Sequence, residues 1–115
     1  MRRDEERLRD MLQAIEKIER YAARGRKALE DDELLQTWIV HHSEIIGEAA
    51  RAISEAVRKA HPDVPWKELS ALRNELVHEY FSIDVDEVWQ VVEKDLPELK
   101  RKITAILAQF RGTGS

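Results

Sequence analysis

Between Arg73 and Phe81 the chain reads Arg-Asn-Glu-Leu-Val-His-Glu-Tyr-Phe, which puts a fixed cation, a titratable imidazole and a phenol within eight residues. An arginine can grip a phosphate through its bidentate fork, and a histidine can move a proton near neutral pH. That set suits cleavage of RNA by its own 2′-hydroxyl. The reaction needs one group to take the hydroxyl proton, another to protonate the departing 5′-oxygen, and a cation to stabilise the charge that builds on phosphorus. It calls for no metal ion and no other cofactor. In such a site Arg73 and His78 are the candidate catalytic residues, Asn74 would orient the imidazole or the phosphate, and Tyr80 would bind RNA by stacking or hydrogen bonding. The plainer alternative is structural: Arg73 pairs with Glu75 or another carboxylate, His78 caps a helix end, and Tyr80 and Phe81 pack in a core.

On one continuous helix Asn74 and His78 would be neighbours, and Arg73 and Tyr80 would differ by only about 20° around the axis. Arg73 and His78 would lie about 140° apart. They converge only if the arginine reaches around, if the helix loosens near His78, or if a second subunit completes the site. One chain carries one motif histidine, whereas the reaction needs both an acid and a base, so a two-fold dimer pairing two copies of His78 and Arg73 is expected. The products would be a 2′,3′-cyclic phosphate and a 5′-hydroxyl.

Four amphipathic segments are available to position these residues. The first carries Leu8, Met11, Leu12, Ile15, Ile18 and Ala22 at helical spacing and stops near Gly25. The second is expected to run unbroken from about Asp32 to Ala60, with Leu35, Trp38, Ile39, Ile45, Ile46, Ala49, Ile53 and Val57 inward, until Pro62 and Pro65 forbid continuation. The third starts near Trp66 and carries the motif. The fourth starts at Asp84, where Glu87 would return the bond of a capping box. Pro97, inside the fourth stripe, predicts a kink. Short connections make successive segments antiparallel neighbours, so the expected fold is all-α, an up-and-down four-helix bundle that forms a homodimer. Trp38, Ile39 and Ile46 would be left over for its interface. One domain is expected over 1–111, and Gly112-Thr113-Gly114-Ser115 reads as a flexible tail.

The chain has 115 residues, 43% hydrophobic and 37% charged, with no cysteine and a net charge of -4. Disulfides, thiolate metal sites and cysteine nucleophiles are therefore excluded. No apolar run is long enough for a membrane helix and no signal-like start is present, so a cytoplasmic protein is expected. The acidic balance argues against bulk electrostatic binding of nucleic acid, although a transient nuclease site does not need it.

The spacing of Arg73, His78 and Tyr80 resembles the signature of HepT-like toxins, HEPN-type ribonucleases paired with an MNT-type nucleotidyltransferase antitoxin. The likeness continues through Glu44-Ile45-Ile46-Gly47-Glu48-Ala49-Ala50, His61-Pro62-Asp63-Val64-Pro65-Trp66, Asp84-Val85-Asp86-Glu87-Val88-Trp89 and Asp95-Leu96-Pro97-Glu98-Leu99. It implies an endoribonuclease toxin acting on RNA, silenced when the antitoxin adenylylates Tyr80 to O-AMP-tyrosine, and assembling as a homodimer or a larger hetero-oligomer with that partner. Glu79 departs from the pattern, which often has a small residue there, and its charge would repel phosphate unless it points away. The rival expectation, from another class, is a non-catalytic helical adaptor that binds a nucleotide or the nucleotidyltransferase.

Other titratable groups carry less. Glu75-Leu76-Val77-His78 has the Glu-x-x-His spacing of di-iron bundles, but no second such unit exists, so no metal is expected. His41 and His42 read as a polar edge or interface pair, and in a dimer His41 or Glu44 could join the cleft. Trp38, Trp66 and Trp89 read as packing.

Overall fold

The computed structural model describes residues 2–78 and 82–114, and their side chains over 3–78 and 82–110. Apart from one antiparallel bridge between Val77 and Ile83, the regular structure among these residues is helical. The elements are α1 (Arg2–Ala22), α2 (Arg26–Asp31), α3 (Glu33–Ala52), α4 (Glu55–Ala60), α5 (Trp66–Ser70), α6 (Leu72–Leu76), α7 (Val85–Gln90), a π-helical turn (Val91–Asp95) and α8 (Leu96–Gly114). The bundle is organised around α3, which packs on α1, α5 and α6, while α1 also packs on α8.

The apolar stripe of α1 is buried as its spacing predicts: Leu8, Met11, Ile15 and Ile18 are fully enclosed and Leu12 is half-buried. Gly25 ends that region with a positive φ of 95°, a conformation that a residue without Cβ adopts at little cost. Asp32 then caps α3 by accepting from the amides of Leu34 and Leu35.

The long second segment does not run unbroken. It stops at Ala52, Ile53 turns extended, and Ser54 starts α4 by accepting from the Val57 amide. The cause is a tertiary contact. Asp4, a buried carboxylate on α1, accepts from both the amide and the hydroxyl of Ser54, at 2.8 and 2.7 Å. Two charge-assisted bonds offset the desolvation of that carboxylate and hold Ser54 outside helical geometry. The fourth segment is divided too. Where Pro97 predicts a kink, the backbone passes through the π-helical turn, and the Leu96 amide donates to Val91. That wider winding relieves the crowding of the proline ring against the preceding turn. Helical backbone continues into the Gly112 to Gly114 stretch that composition reads as a tail.

Of the three residues expected to spill into a dimer interface, Ile39 and Ile46 are completely buried within the single chain. They fill its own core because α1, α5 and α6 all close on α3. Trp38 alone stays exposed, at 36%, with its indole N–H donating to the Lys17 carbonyl and its ring edge-on to Tyr21. Trp66 is buried and Trp89 half-buried against the core. No helix among the described residues is long and apolar enough to cross a membrane.

Candidate active site

The motif does not lie on one helix. Arg73 and Asn74 sit on α6, which ends at Leu76, and Val77 is extended with φ -122° and ψ 121°. His78 therefore stands beyond the helix end, and the helical angles that relate it to Arg73 and Asn74 do not apply. Tertiary hydrogen bonds explain the early stop. The Leu76 carbonyl accepts from the Asp84 amide at 2.9 Å, and the His78 amide donates to Ser82 at 2.8 Å. Together with the Val77–Ile83 bridge, they offer the chain a better pairing than another helical turn. Tyr80, with Glu79 and Phe81, lies outside the described residues.

The imidazole of His78 is more than half exposed, and its Nε2 lies 3.1 Å from Asp84 Oδ2. A carboxylate only accepts, so in the neutral ring this contact favours the tautomer with its proton on Nε2 and its lone pair on Nδ1. Asp84 does two things at once. Its Oδ1 caps α7 by accepting from the Glu87 amide at 3.1 Å. The Glu87 amide, and after it the His78 imidazole, hold the Asp84 carboxyl below the usual carboxylate range. The capping half of the expected box is present, but the Asp84 amide is given to Leu76 rather than to Glu87. Asp84 is legible in the sequence only as a cap. Its distance from His78 depends on how the chain returns after α6.

Arg73 and Asn74 line a pocket of about 280 Å³ together with Glu44, Gly47, Arg51 and Ser70. His78 is not among the residues described there. Glu44 Oε2 approaches Arg73 Nε at 4.0 Å, a loose pair between partly exposed groups. This brings Glu44 beside the motif, as a dimer cleft could have done, but within one chain. Gly47 permits the close approach: an added Cβ would meet the Leu69 carbonyl oxygen at 2.9 Å. Arg51, which no sequence signal singles out, donates to the Ser70 carbonyl at 2.6 Å and satisfies a free acceptor at the end of α5.

His41 is exposed, edge-on to His42, and not among the residues lining that pocket. His42 is buried, hydrogen-bonded through Nδ1 to the Trp38 carbonyl at 2.8 Å, and burial lowers its pKa. It is a core histidine. Among the described residues, no three His, Asp or Glu side chains gather as metal ligands would. Another cavity has Leu69, Leu72, Val91, Leu96 and Leu99 along it with Glu68, Glu75, Asp95, Glu98 and Lys102, and includes none of Arg73, Asn74 and His78.

Comparison with known proteins identifies the family. The profile of the family "Ribonuclease HepT-like" matches residues 11–106. The chain is 38% identical over 98 residues to the "Probable ribonuclease HepT" of Thermococcus cleftensis, spanning 83% of this chain and 87% of that one. It is 36% identical over 107 residues to a "Gamma-glutamylcyclotransferase and putative RNase" of Methanocaldococcus jannaschii. There it covers 90% of its own length but 47% of the relative's, so it spans about half of that protein. A "Putative RNase" of Caldanaerobacter subterraneus subsp. tengcongensis is 38% identical over 76 residues, spanning 66% of this chain and 68% of that one. No solved structure matches the chain significantly. With a family profile that spans most of the chain, including Arg73 to His78, and relatives matched along most of its length, the chain belongs to the HepT-like ribonuclease family.

Proposed function

We propose that this protein is a metal-independent endoribonuclease that cleaves RNA at a site built from Arg73 and His78, with Asn74 and Tyr80 in support. The observation that carries this reading is the His78–Asp84 pair, whose carboxylate favours one imidazole tautomer on an exposed ring. Family membership adds the substrate class, since its relatives bear ribonuclease names.

The reaction proceeds by transphosphorylation. His78 of one copy takes the 2′-hydroxyl proton, the 2′-oxygen bonds to phosphorus, and protonated His78 of a second copy gives its proton to the 5′-oxygen as the bond to phosphorus breaks. Arg73 neutralises the charge on the non-bridging oxygens. The products are a 2′,3′-cyclic phosphate and a 5′-hydroxyl. The two-histidine requirement now carries most of the argument for the dimer, because Ile39 and Ile46 are spent on the core and only Trp38 of the three stays exposed.

In this reading the protein is the toxin of a toxin-antitoxin pair, and a nucleotidyltransferase partner silences it by transferring AMP to the Tyr80 hydroxyl. The added phosphate would compete with RNA for Arg73. The deciding experiment is an RNA cleavage assay with and without chelator. Wild-type protein is expected to yield cyclic-phosphate ends, and His78→Ala and Arg73→Ala each to lose about 10²- to 10⁴-fold with the fold intact. Full activity in a clean His78→Ala preparation would refute the mechanism. No cleavage by the wild-type protein would leave the adaptor reading. Sedimentation should give a dimer, and intact mass after incubation with the cognate nucleotidyltransferase and ATP should show AMP on Tyr80 rather than on the exposed Tyr21.

A further inference from the structure

The pocket of Arg73 and Asn74 adjoins a second, larger depression of about 870 Å³, and both are lined by Arg51 and Ser70. The larger one also takes in Arg58 on α4 and Lys67 on α5. Four cations thus border two adjoining depressions: Arg73, Arg51, Arg58 and Lys67. Three carboxylates share them, Glu44 in the first and Asp63 and Glu68 in the second. The local balance is therefore 4 − 3 = +1, on a chain whose net charge is -4.

Arg73 has Glu44 at 4.0 Å, but the other three cations are held differently from several elsewhere. Arg24, Arg26 and Lys100 each lie within salt-bridge distance of a carboxylate. Arg51 is instead anchored by a carbonyl, and Arg58 and Lys67 make no ion pair among the described residues. A carbonyl fixes a guanidinium without cancelling its charge. One donated bond of the five available leaves the rest of the Arg51 fork for a ligand.

We propose that Arg51 forms a second phosphate subsite beside Arg73, and that a single-stranded RNA leaves the motif across Arg51 along the groove toward Arg58 and Lys67. The inference rests on the ribonuclease reading and adds the path of the substrate. The pocket beside Arg73 is large enough for a phosphodiester group and is predominantly polar in its lining. Glu44, in loose contact with Arg73, occupies the place a phosphate oxygen would take, so it opposes binding. RNA entering the pocket displaces it into solvent, where it is already half exposed.

The test measures binding of a short single-stranded 2′-O-methyl RNA, which lacks the attacking hydroxyl, as a function of salt. Each phosphate contact contributes about 0.7 to the slope of log affinity against log salt for a single strand. Arg51→Gln is expected to flatten that slope by about 0.7 and to weaken binding about three- to tenfold. The Arg58→Gln/Lys67→Gln double variant, which touches no core residue, should flatten it by up to about 1.4. Glu44→Gln should bind more tightly than the wild type, an outcome that a structural role for this carboxylate does not produce. Unchanged affinity and slope in the folded Arg51 variant, or in the double variant should Arg51→Gln fail to fold, would overturn the track. A wild-type protein that binds this oligonucleotide through Arg51 but cuts no RNA would support the track and remove the nuclease reading.

Discussion

Replacing Gly47 by alanine sets two effects of similar size against each other, and the structure decides the sign. In a helix interior alanine is favoured over glycine by about 1 kcal/mol. Against that, the new Cβ would stand 2.9 Å from the Leu69 carbonyl oxygen and 3.4 Å from that of Ser70. Both obstacles are backbone, so no side chain can rotate away. The last turn of α5 must move off α3, although Leu69 is buried and Arg51 ties the Ser70 carbonyl to α3. Overpacking of this kind costs about 1–3 kcal/mol. With a pinned obstacle the upper half of that range applies, leaving a net destabilisation of about 1–2 kcal/mol. For a domain of this size that is a fall in Tm of about 4–8 °C. Guanidinium and thermal unfolding of Gly47→Ala should show it, with an unchanged denaturant m-value. Because Ser70 moves, affinity for the 2′-O-methyl RNA should weaken as well. A variant as stable as the wild type, or more so, would refute the claim that close approach of α5 requires this glycine.

Asp84→Asn should retain the α7 cap, since asparagine caps as well as aspartate, but presents an amide N–H to the imidazole once its oxygen holds the Glu87 amide. That favours the opposite tautomer of His78, so ¹⁵N spectra should show the proton moved to Nδ1, and cleavage should fall toward the 10²- to 10⁴-fold loss of a missing base; an unchanged tautomer would separate Asp84 from the chemistry. His42 has a folded pKa lowered by burial, so the unfolded chain binds the extra proton first as pH falls. Its neutral form supports the fold fully above the ordinary histidine value of about 6.5 and loses that support on acidification below it. The guanidinium midpoint should therefore drop between about pH 7.5 and 5.5, and His42→Gln should flatten the drop; equal pH dependence in both proteins would assign it to other groups.

Much of the fold was legible because it rests on short-range periodicity. The stripe from Leu8 to Ile18, the stop at Gly25, the helix start near Asp32 and the cap at Asp84 follow from residue types a few positions apart, and burial or hydrogen bonding then follows from helical geometry. The family was legible for a different reason: the spacing of Arg73, His78 and Tyr80 together with the flanking blocks resembles the HepT-like signature, and the chain does belong to that family.

What the sequence could not settle were the points where distant parts of the chain compete with local preference. Asp4 lies fifty residues before Ser54, yet its buried carboxylate breaks what periodicity reads as one long helix. Asp84 takes the Leu76 carbonyl and holds the His78 ring, so the motif leaves its helix and gains a proton-fixing partner. Arg51 and Glu44 reach Arg73's pocket only because Gly47 lets α5 close on α3. Composition and spacing determined which groups were available and which faces would be apolar. Only the tertiary structure decided which groups meet, because a helix end or an ion pair is set by the best partner in space rather than the nearest one in sequence.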